Sequence, residues 1–198
     1  MATNTTRAGE GAGTARFSLG PNTRVVTEDG RDVEPGSGER GHVALRGFTP
    51  VGYYKDPEKS AATFQVIDGV RYSIPGDWAE VEADGTVKLL GRGSQCINTG
   101  GEKVFPEEVE EIVKRFPGVR DVVVVGVPDE RFGEAITAVV SSLGAALDSE
   151  AIKAFVKEHL AGYKAPKHVV LVDEVYRSPS GKADFKKTKE VALAALAR

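Results

Sequence analysis

Residues 119–143 read VRDVVVVGVPDERFGEAITAVVSSL. Valine dominates this stretch, and short apolar runs rich in β-branched residues are typical of buried strands. The pattern predicts two strands, over 119–127 and 135–143. The longest apolar run, from Val122 to Val127, is too short to cross a bilayer, so we expect no transmembrane segment.

A helix is predicted on each side of these strands. The first, over 106–116, begins at Pro106 and has acidic residues in its first turn, which complement the helix dipole. The second, over 149–160, begins behind Asp148 and precedes a last strand over 168–175. Both carry apolar residues at helical spacing, in the first helix Val109, Ile112, Val113 and Phe116. Strands alternating with helices predict a small α+β domain, a β-sheet flanked by helices.

The chain before residue 91 has a different texture. Brief β-type runs and tight turns predict an antiparallel sheet or small barrel, with a helix that begins behind Asp56 and a hairpin over 81–90. Asp84-Gly85 is predicted to form a two-residue turn in that hairpin. The change of texture predicts two domains, a β-rich part over 1–91 and a second domain over 92–198, with residues 1–16 as a loop or frayed terminus.

Composition excludes several classes of protein. The chain has 198 residues and a net charge of −3, which argues against a general nucleic-acid binder. The N-terminal residues contain no apolar segment of the kind found in secretory signals. Cys96 is the single cysteine, which favours a cytoplasmic location. The three histidines are scattered without metal-ligand spacing, so no metal site is expected: His42, His159 and His168.

Three stretches occur in an order that identifies a family. They read YSIPGD (72–77), GRGSQCINTGGEKVFPEE (91–108) and PSGKAD (179–184). Together they resemble the C-terminal motifs of the adenylate-forming superfamily, which includes acyl-CoA synthetases, peptide-synthetase adenylation domains and luciferases. GYYKDPEKSAATF (52–64) and GYKAPK (162–167) also resemble acyl-CoA synthetase sequence, closest to actinobacterial fatty-acyl and steroid-acid CoA ligases.

The resemblance implies nucleotide-binding roles for three residues. Asp77 resembles the family's ribose-binding aspartate, whose carboxylate can accept hydrogen bonds from two vicinal hydroxyls. Arg92 resembles the arginine that closes on the same ribose, and its forked donors suit hydroxyl and phosphate oxygens. Lys103 resembles a position that reaches the nucleotide phosphate. An Asp that caps a turn and an Arg in a surface ion pair are the structural alternatives for the first two.

The remaining site residues belong to the hinge, the CoA site and the catalytic centre. Ser94 occupies the hinge position, where the family usually has Asp or Lys, and we expect its backbone to turn there. Gly100 and Gly101 resemble the loop that lines the pantetheine tunnel, although a simple turn is the alternative. Lys182 resembles the invariant catalytic lysine, which stabilises negative charge during adenylation.

The match around Lys182 is imperfect. The family's usual proline and arginine are replaced by Tyr176 and Phe185. Further along, Lys186, Lys187 and Lys189 are expected to form a solvated basic helix face.

The resemblance implies a larger enzyme. The loop that wraps the ATP phosphates, the Mg²⁺ site and the acyl pocket lie upstream in the family, so residues 1–91 are expected to be a fragment of the large N-terminal domain and 92–198 the mobile lid. The implied substrates are a carboxylic acid, ATP and CoA, and AMP is a product. This chain alone is expected to be inactive. An amino-acid adenylation domain acting on a carrier protein, or a non-catalytic scaffold, are the other interpretations.

Overall fold

The computed structural model describes residues 16–144 and 146–197. Of the loop expected over 1–16, residues 1–15 lie outside the described residues, and Arg16 begins a strand, so the prediction was wrong at that residue. The backbone divides into two compact units, the first ending at Ser94 and the second beginning at Gln95. Each unit has its own sheet, and the predicted α+β class is confirmed. The assignment of the two units to a large domain and a lid stays a prediction.

The first unit is built on an antiparallel sheet in the order β1-β7-β6-β3-β5-β4, in which β2 also pairs with β3. One short helix, α1 (Pro57–Thr63), precedes β4, and the Asp56 side chain caps it by accepting from the Lys59 amide at 2.9 Å. The strands are β1 Arg16–Ser18, β2 Thr23–Val26, β3 Arg40–Arg46, β4 Phe64–Ile67, β5 Val70–Ser73, β6 Asp77–Val81 and β7 Thr86–Arg92.

The turn of the predicted hairpin is longer than expected. Strands β6 and β7 pair as predicted, but Gly85 has a positive φ (79°) and Asp84 does not. The Glu82 amide donates to the Thr86 carbonyl at 2.8 Å, which leaves three residues in the loop. Asp84 instead accepts from the Thr86 amide at 2.9 Å, as aspartate does in Asx turns. The prediction of a two-residue turn was therefore wrong.

The second unit contains a five-stranded sheet and three helices among its described residues. The strand order is β10-β11-β8-β9, and β12 runs parallel to β11. The strands are β8 Ile97–Thr99, β9 Glu102–Val104, β10 Val119–Asp129, β11 Gly133–Ser142 and β12 His168–Val172. The helices are α2 Pro106–Lys114, α3 Ser149–His159 and α4 Phe185–Leu196. The last strand is shorter than predicted, and the β8–β9 hairpin was not predicted.

Both faces of the paired strands β10 and β11 are buried. Because side chains alternate along a strand, Val122 and Val124 contact one core with α2 and α3, while Val123 and Val125 contact another with α4. This is why β10 reads as a continuous apolar run rather than an alternating one. The helices thus enclose the sheet, and the loops at its ends carry the candidate site residues.

No helix in the described part of the chain is long and apolar enough to cross a membrane.

Candidate functional site

In the first unit, two predicted site residues are hydrogen-bonded to each other. Asp77 begins β6 and Arg92 ends β7, and the two are direct cross-strand partners. The Arg92 Nε donates to Asp77 Oδ1 at 3.2 Å. The Arg92 side chain is 66% exposed and that of Asp77 29%, so the pair faces solvent. An exposed pair of this kind contributes little stability, which leaves both groups available to a ligand.

The backbone beside this pair is closely packed. The Gly93 amide donates to the Gly76 carbonyl at 3.1 Å, so the chain stays attached to the start of β6 for one residue beyond Arg92. A Cβ on Gly93 would lie 2.5 Å from Trp78 Nε1. Gly93 is therefore required by close approach to an indole rather than by a positive φ. Gly91, by contrast, has a φ of 131°, which glycine tolerates best.

The predicted hinge residue follows directly. Ser94 is exposed and lies in the 3₁₀ turn Gly93–Gln95. Gly93 packs against Trp78, and Ser94 follows it directly as an exposed residue. This geometry is compatible with a backbone hinge, although the role itself stays a prediction.

In the second unit, Gly100 and Gly101 form the two-residue turn between β8 and β9. Both have positive φ angles, 59° and 87°, as a type I′ hairpin turn requires. The Gly100 amide donates to the Phe132 carbonyl at 2.9 Å, and a Cβ on Gly100 would lie 3.3 Å from the Phe132 ring. Around the missing Cβ of Gly101 there is no heavy atom within 4 Å among the described residues. The turn is therefore supported on one side and open on the other.

Lys103 lies on the same hairpin, exposed on β9 opposite Asn98.

The Asn98 amide donates to the Glu134 carboxylate at 3.0 Å, and Lys189 on α4 also contacts that carboxylate at 3.4 Å. Lys189 is thus ion-paired and half-buried, so the expected basic face of α4 is only partly solvated. Cys96 just before the hairpin is half-buried.

Lys182 lies in a different loop, between β12 and α4. The loop closes on itself, because the Asp184 amide donates to the Tyr176 carbonyl at 3.0 Å and the Ser178 amide to the Lys182 carbonyl at 2.8 Å. Gly181, with a φ of 80°, makes the tight turn at the tip. Lys182 itself is exposed.

The replacement of the family's usual arginine by Phe185 has a packing explanation, because Phe185 contacts the core between α4 and the sheet.

The sequence did not predict the role of one carboxyl group in the second unit, that of Glu110. Burial raises the pKa of Glu110 on α2 from 4.5 to about 7, although the hydrogen bond from the Val124 amide and, less strongly, the charges of Lys114 and Arg177 oppose the shift. Its carboxylate accepts from the Val124 amide at 2.9 Å. No regular spacing links Glu110 to β10, so the sequence carries no signal for this contact.

Nothing in the described ranges brings together three or more His, Cys, Asp or Glu side chains in a way that could hold a metal ion.

Comparisons with known proteins agree with the motif order. The AMP-binding enzyme C-terminal domain family matches residues 108–182. A medium/long-chain-fatty-acid–CoA/3-oxocholest-4-en-26-oate–CoA ligase of Mycolicibacterium smegmatis is 53% identical over 90% of this chain and 33% of its own length. A 3-oxocholest-4-en-26-oate–CoA ligase of Rhodococcus rhodochrous is 54% identical over 85% of this chain and 30% of its own.

Among solved structures, ATP-bound MatB from Rhodopseudomonas palustris has a TM-score of 0.75 and 33% identity, covering 88% of this chain and 35% of that protein. The chain thus spans about a third of the length of the curated relatives it matches.

Proposed function

We propose that this chain, whose residues 108–182 match the AMP-binding enzyme C-terminal domain family, supplies the mobile part of an acyl-CoA ligase active site. The observation that carries the proposal is Lys182, presented to solvent at the tip of a self-closed loop. The proposed enzyme joins a carboxylic acid to AMP and then transfers the acyl group to CoA.

In the first half-reaction, a carboxylate oxygen of the substrate attacks the α-phosphorus of ATP, and the bond to the bridging oxygen of pyrophosphate breaks. Negative charge builds on the phosphoryl and carboxylate oxygens in the transition state. The Lys182 ammonium, on a flexible stem, is placed between those oxygens and stabilises the charge. The products are acyl-AMP and pyrophosphate.

Three further residues are proposed to hold the nucleotide. The Asp77 carboxylate would accept from the two ribose hydroxyls, and Arg92, already within 3.2 Å of it, would donate to the same sugar or to phosphate. Lys103, exposed beside the glycine turn, would contact the phosphate as a point charge. ATP, AMP and CoA are thus the proposed ligands, and a Mg²⁺ site would have to be provided outside the described residues.

In the second half-reaction, the CoA sulfur attacks the acyl carbonyl and AMP leaves. We propose that the open side of Gly101 faces the pantetheine chain, since a residue without Cβ lets a ligand approach the backbone closely. Rotation at Ser94 between the two half-reactions would exchange Lys182 for the Gly100-Gly101 turn at the reacting atoms.

The acid is proposed to be a fatty or steroid carboxylic acid, because relatives that are 53% and 54% identical to this chain are named for such substrates. Those same relatives are CoA ligases, which favours free CoA over a carrier protein as the acceptor. Their activity also favours an enzyme over a non-catalytic scaffold.

A chimeric enzyme tests the proposal. In it, this chain replaces the matching third of the Mycolicibacterium smegmatis ligase, and acyl-AMP and acyl-CoA are measured with a fatty acid and with 3-oxocholest-4-en-26-oate. We expect the chimera to form both products, and the 198-residue chain alone to form neither and to show no ATP–pyrophosphate exchange. A folded chimera that makes acyl-AMP but never acyl-CoA would contradict the ligase assignment, and exchange by the chain alone would contradict the need for a larger domain.

A further inference from the structure

The loop that carries Lys182 has no apolar anchor at its tip. Ala183 and Phe185 pack on the core at its C-terminal end, and Val175 does so at its N-terminal end. Between these anchors, residues 178–182 are polar or small and largely exposed. Polar contacts must therefore determine where the tip, and with it Lys182, is held.

The guanidinium of Arg177 makes contacts that reach from the sheet to this tip. Arg177 Nε and Nη2 donate to the two carboxylate oxygens of Asp121 on β10, at 2.6 Å and 2.8 Å. The remaining terminal nitrogen, Nη1, donates to the Gly181 carbonyl at 3.1 Å. That carbonyl belongs to the peptide bond immediately before Lys182. Arg177 thus links strand β10 to the backbone of the proposed catalytic lysine.

The electrostatics of the pair support a fixed geometry. The side chains of Asp121 and Arg177 are 23% and 30% exposed, so water screens them less than a surface pair. Burial alone would raise the pKa of Asp121, but the hydrogen bonds from Arg177 and the Val122 amide lower it below its ordinary value. Lys114 on α2 lies 3.5 Å from the same carboxylate and reinforces the charge. Two parallel bonds from a planar fork also fix orientation, which a lysine could not do.

We propose that Arg177 is a positioning residue for adenylation, which holds the Gly181–Lys182 peptide against Asp121 so that the lysine ammonium is presented in one place. The proposal rests on the proposed function of Lys182. Arg177 acts through the backbone of Lys182, so its loss should impair the half-reaction that needs this lysine and spare the other.

The first test measures the loop in the 198-residue chain itself. Backbone ¹⁵N relaxation should give order parameters near 0.85 for Gly181 and Lys182, and in Arg177→Gln these should fall below about 0.6. Asp121→Asn, which removes the charge at the other end, should loosen the same two residues. Arg120→Gln is the matched control, since Arg120 is an exposed arginine on β10, next to Asp121. Unchanged order parameters at Gly181 and Lys182 in both Arg177→Gln and Asp121→Asn would overturn the proposal.

The second test measures the two half-reactions in the chimeric enzyme. Arg177→Gln should lower the rate of acyl-AMP formation about ten- to a hundredfold, because small misplacement of a catalytic group forfeits the advantage of proximity. It should leave the KM for ATP unchanged. The rate of thioester formation from supplied acyl-AMP should also stay unchanged. Equal loss of both half-reactions would show a merely structural role and overturn the proposal. If Lys182→Ala has no effect on adenylation, the proposed function itself fails, whatever Arg177→Gln does.

Discussion

At the scale of single residues, Gly101 illustrates how a binding role and a structural role become entangled. The open space around its Cα suits an approaching ligand chain, but its φ of 87° is one that side-chain-bearing residues rarely adopt. A bulky substitution therefore strains the turn even if no ligand ever binds there. Loss of acyl transfer to CoA in Gly101→Leu would not by itself distinguish the two roles.

We expect Gly101→Leu to lower the free energy of unfolding of this chain by about 1–3 kcal/mol through backbone strain. Gly101→Asn should cost less, because asparagine tolerates a left-handed backbone while still adding a side chain. Urea unfolding of both variants gives the structural cost. If Gly101→Asn stays folded and forms acyl-AMP in the chimeric enzyme but not acyl-CoA, the side chain obstructs the thiol. Normal acyl-CoA formation by that variant would remove Gly101 from the site.

Glu110 leads to a prediction about pH at the same scale. Its pKa is about 7 in the folded chain and near 4.5 when unfolded, so the folded state binds the proton more tightly. Between these two values, rising pH therefore lowers the free energy of unfolding, by at most about 3 kcal/mol from this group. Glu110→Gln, which keeps an acceptor for the Val124 amide, should remove this loss and be more stable than the parent at pH 8. Melts from pH 4 to pH 8 compare the parent with Glu110→Gln, with the exposed Glu158→Gln on α3 as control, and the same pH dependence in the parent and in Glu110→Gln would contradict the account.

At the scale of elements, the junction after β7 is closely packed up to Gly93. The Cβ of Gly93→Ala would lie 2.5 Å from Trp78 Nε1, so either the indole or the backbone must move. We expect a cost of about 1–3 kcal/mol, as in other overpacked sites. Trp78 is the only tryptophan in the sequence, so its fluorescence emission reports the displacement directly. Ser94→Ala, one residue further along, should change neither the emission nor the melting temperature, and an equal effect of both variants would contradict the close-packing explanation.

Elements with strong periodicity were predicted well from the sequence. The valine run of β10 and the apolar stripe of α2 are local signals, and the structure has both elements within a few residues of the predicted bounds. The predicted length of the loop after Val81 was wrong, because an Asp-Gly pair fits both a two-residue turn and a three-residue loop.

The contacts that hold the candidate site could not be predicted. Arg177 and Asp121 are 56 residues apart, as are Lys164 and Glu108, which form a buried ion pair at 3.0 Å. Such pairs follow from tertiary packing, and a lysine or arginine on a loop gives no local sign of its partner. The family resemblance supplied Lys182 itself, but not the group that fixes its loop.

At the scale of the whole molecule, the two units divide immediately after Ser94, the residue proposed as the hinge. The proposed nucleotide pair Asp77 and Arg92 belongs to the first unit, and Lys182 and the glycine turn belong to the second. A reaction that uses all of them, as proposed, would combine groups from both units. The central claim is that Lys182 serves adenylation alone.

The most direct test of that claim is Lys182→Ala in the chimeric enzyme, with each half-reaction measured separately. Acyl-AMP formation should fall by roughly a hundred- to a thousandfold, the effect of removing one preorganised electrostatic group from a transition state. Acyl-CoA formation from supplied acyl-AMP should proceed at the parent rate, because the lysine is not needed once the phosphoryl chemistry is complete. Equal loss of both half-reactions in a folded variant, or undiminished acyl-AMP formation, would contradict the account.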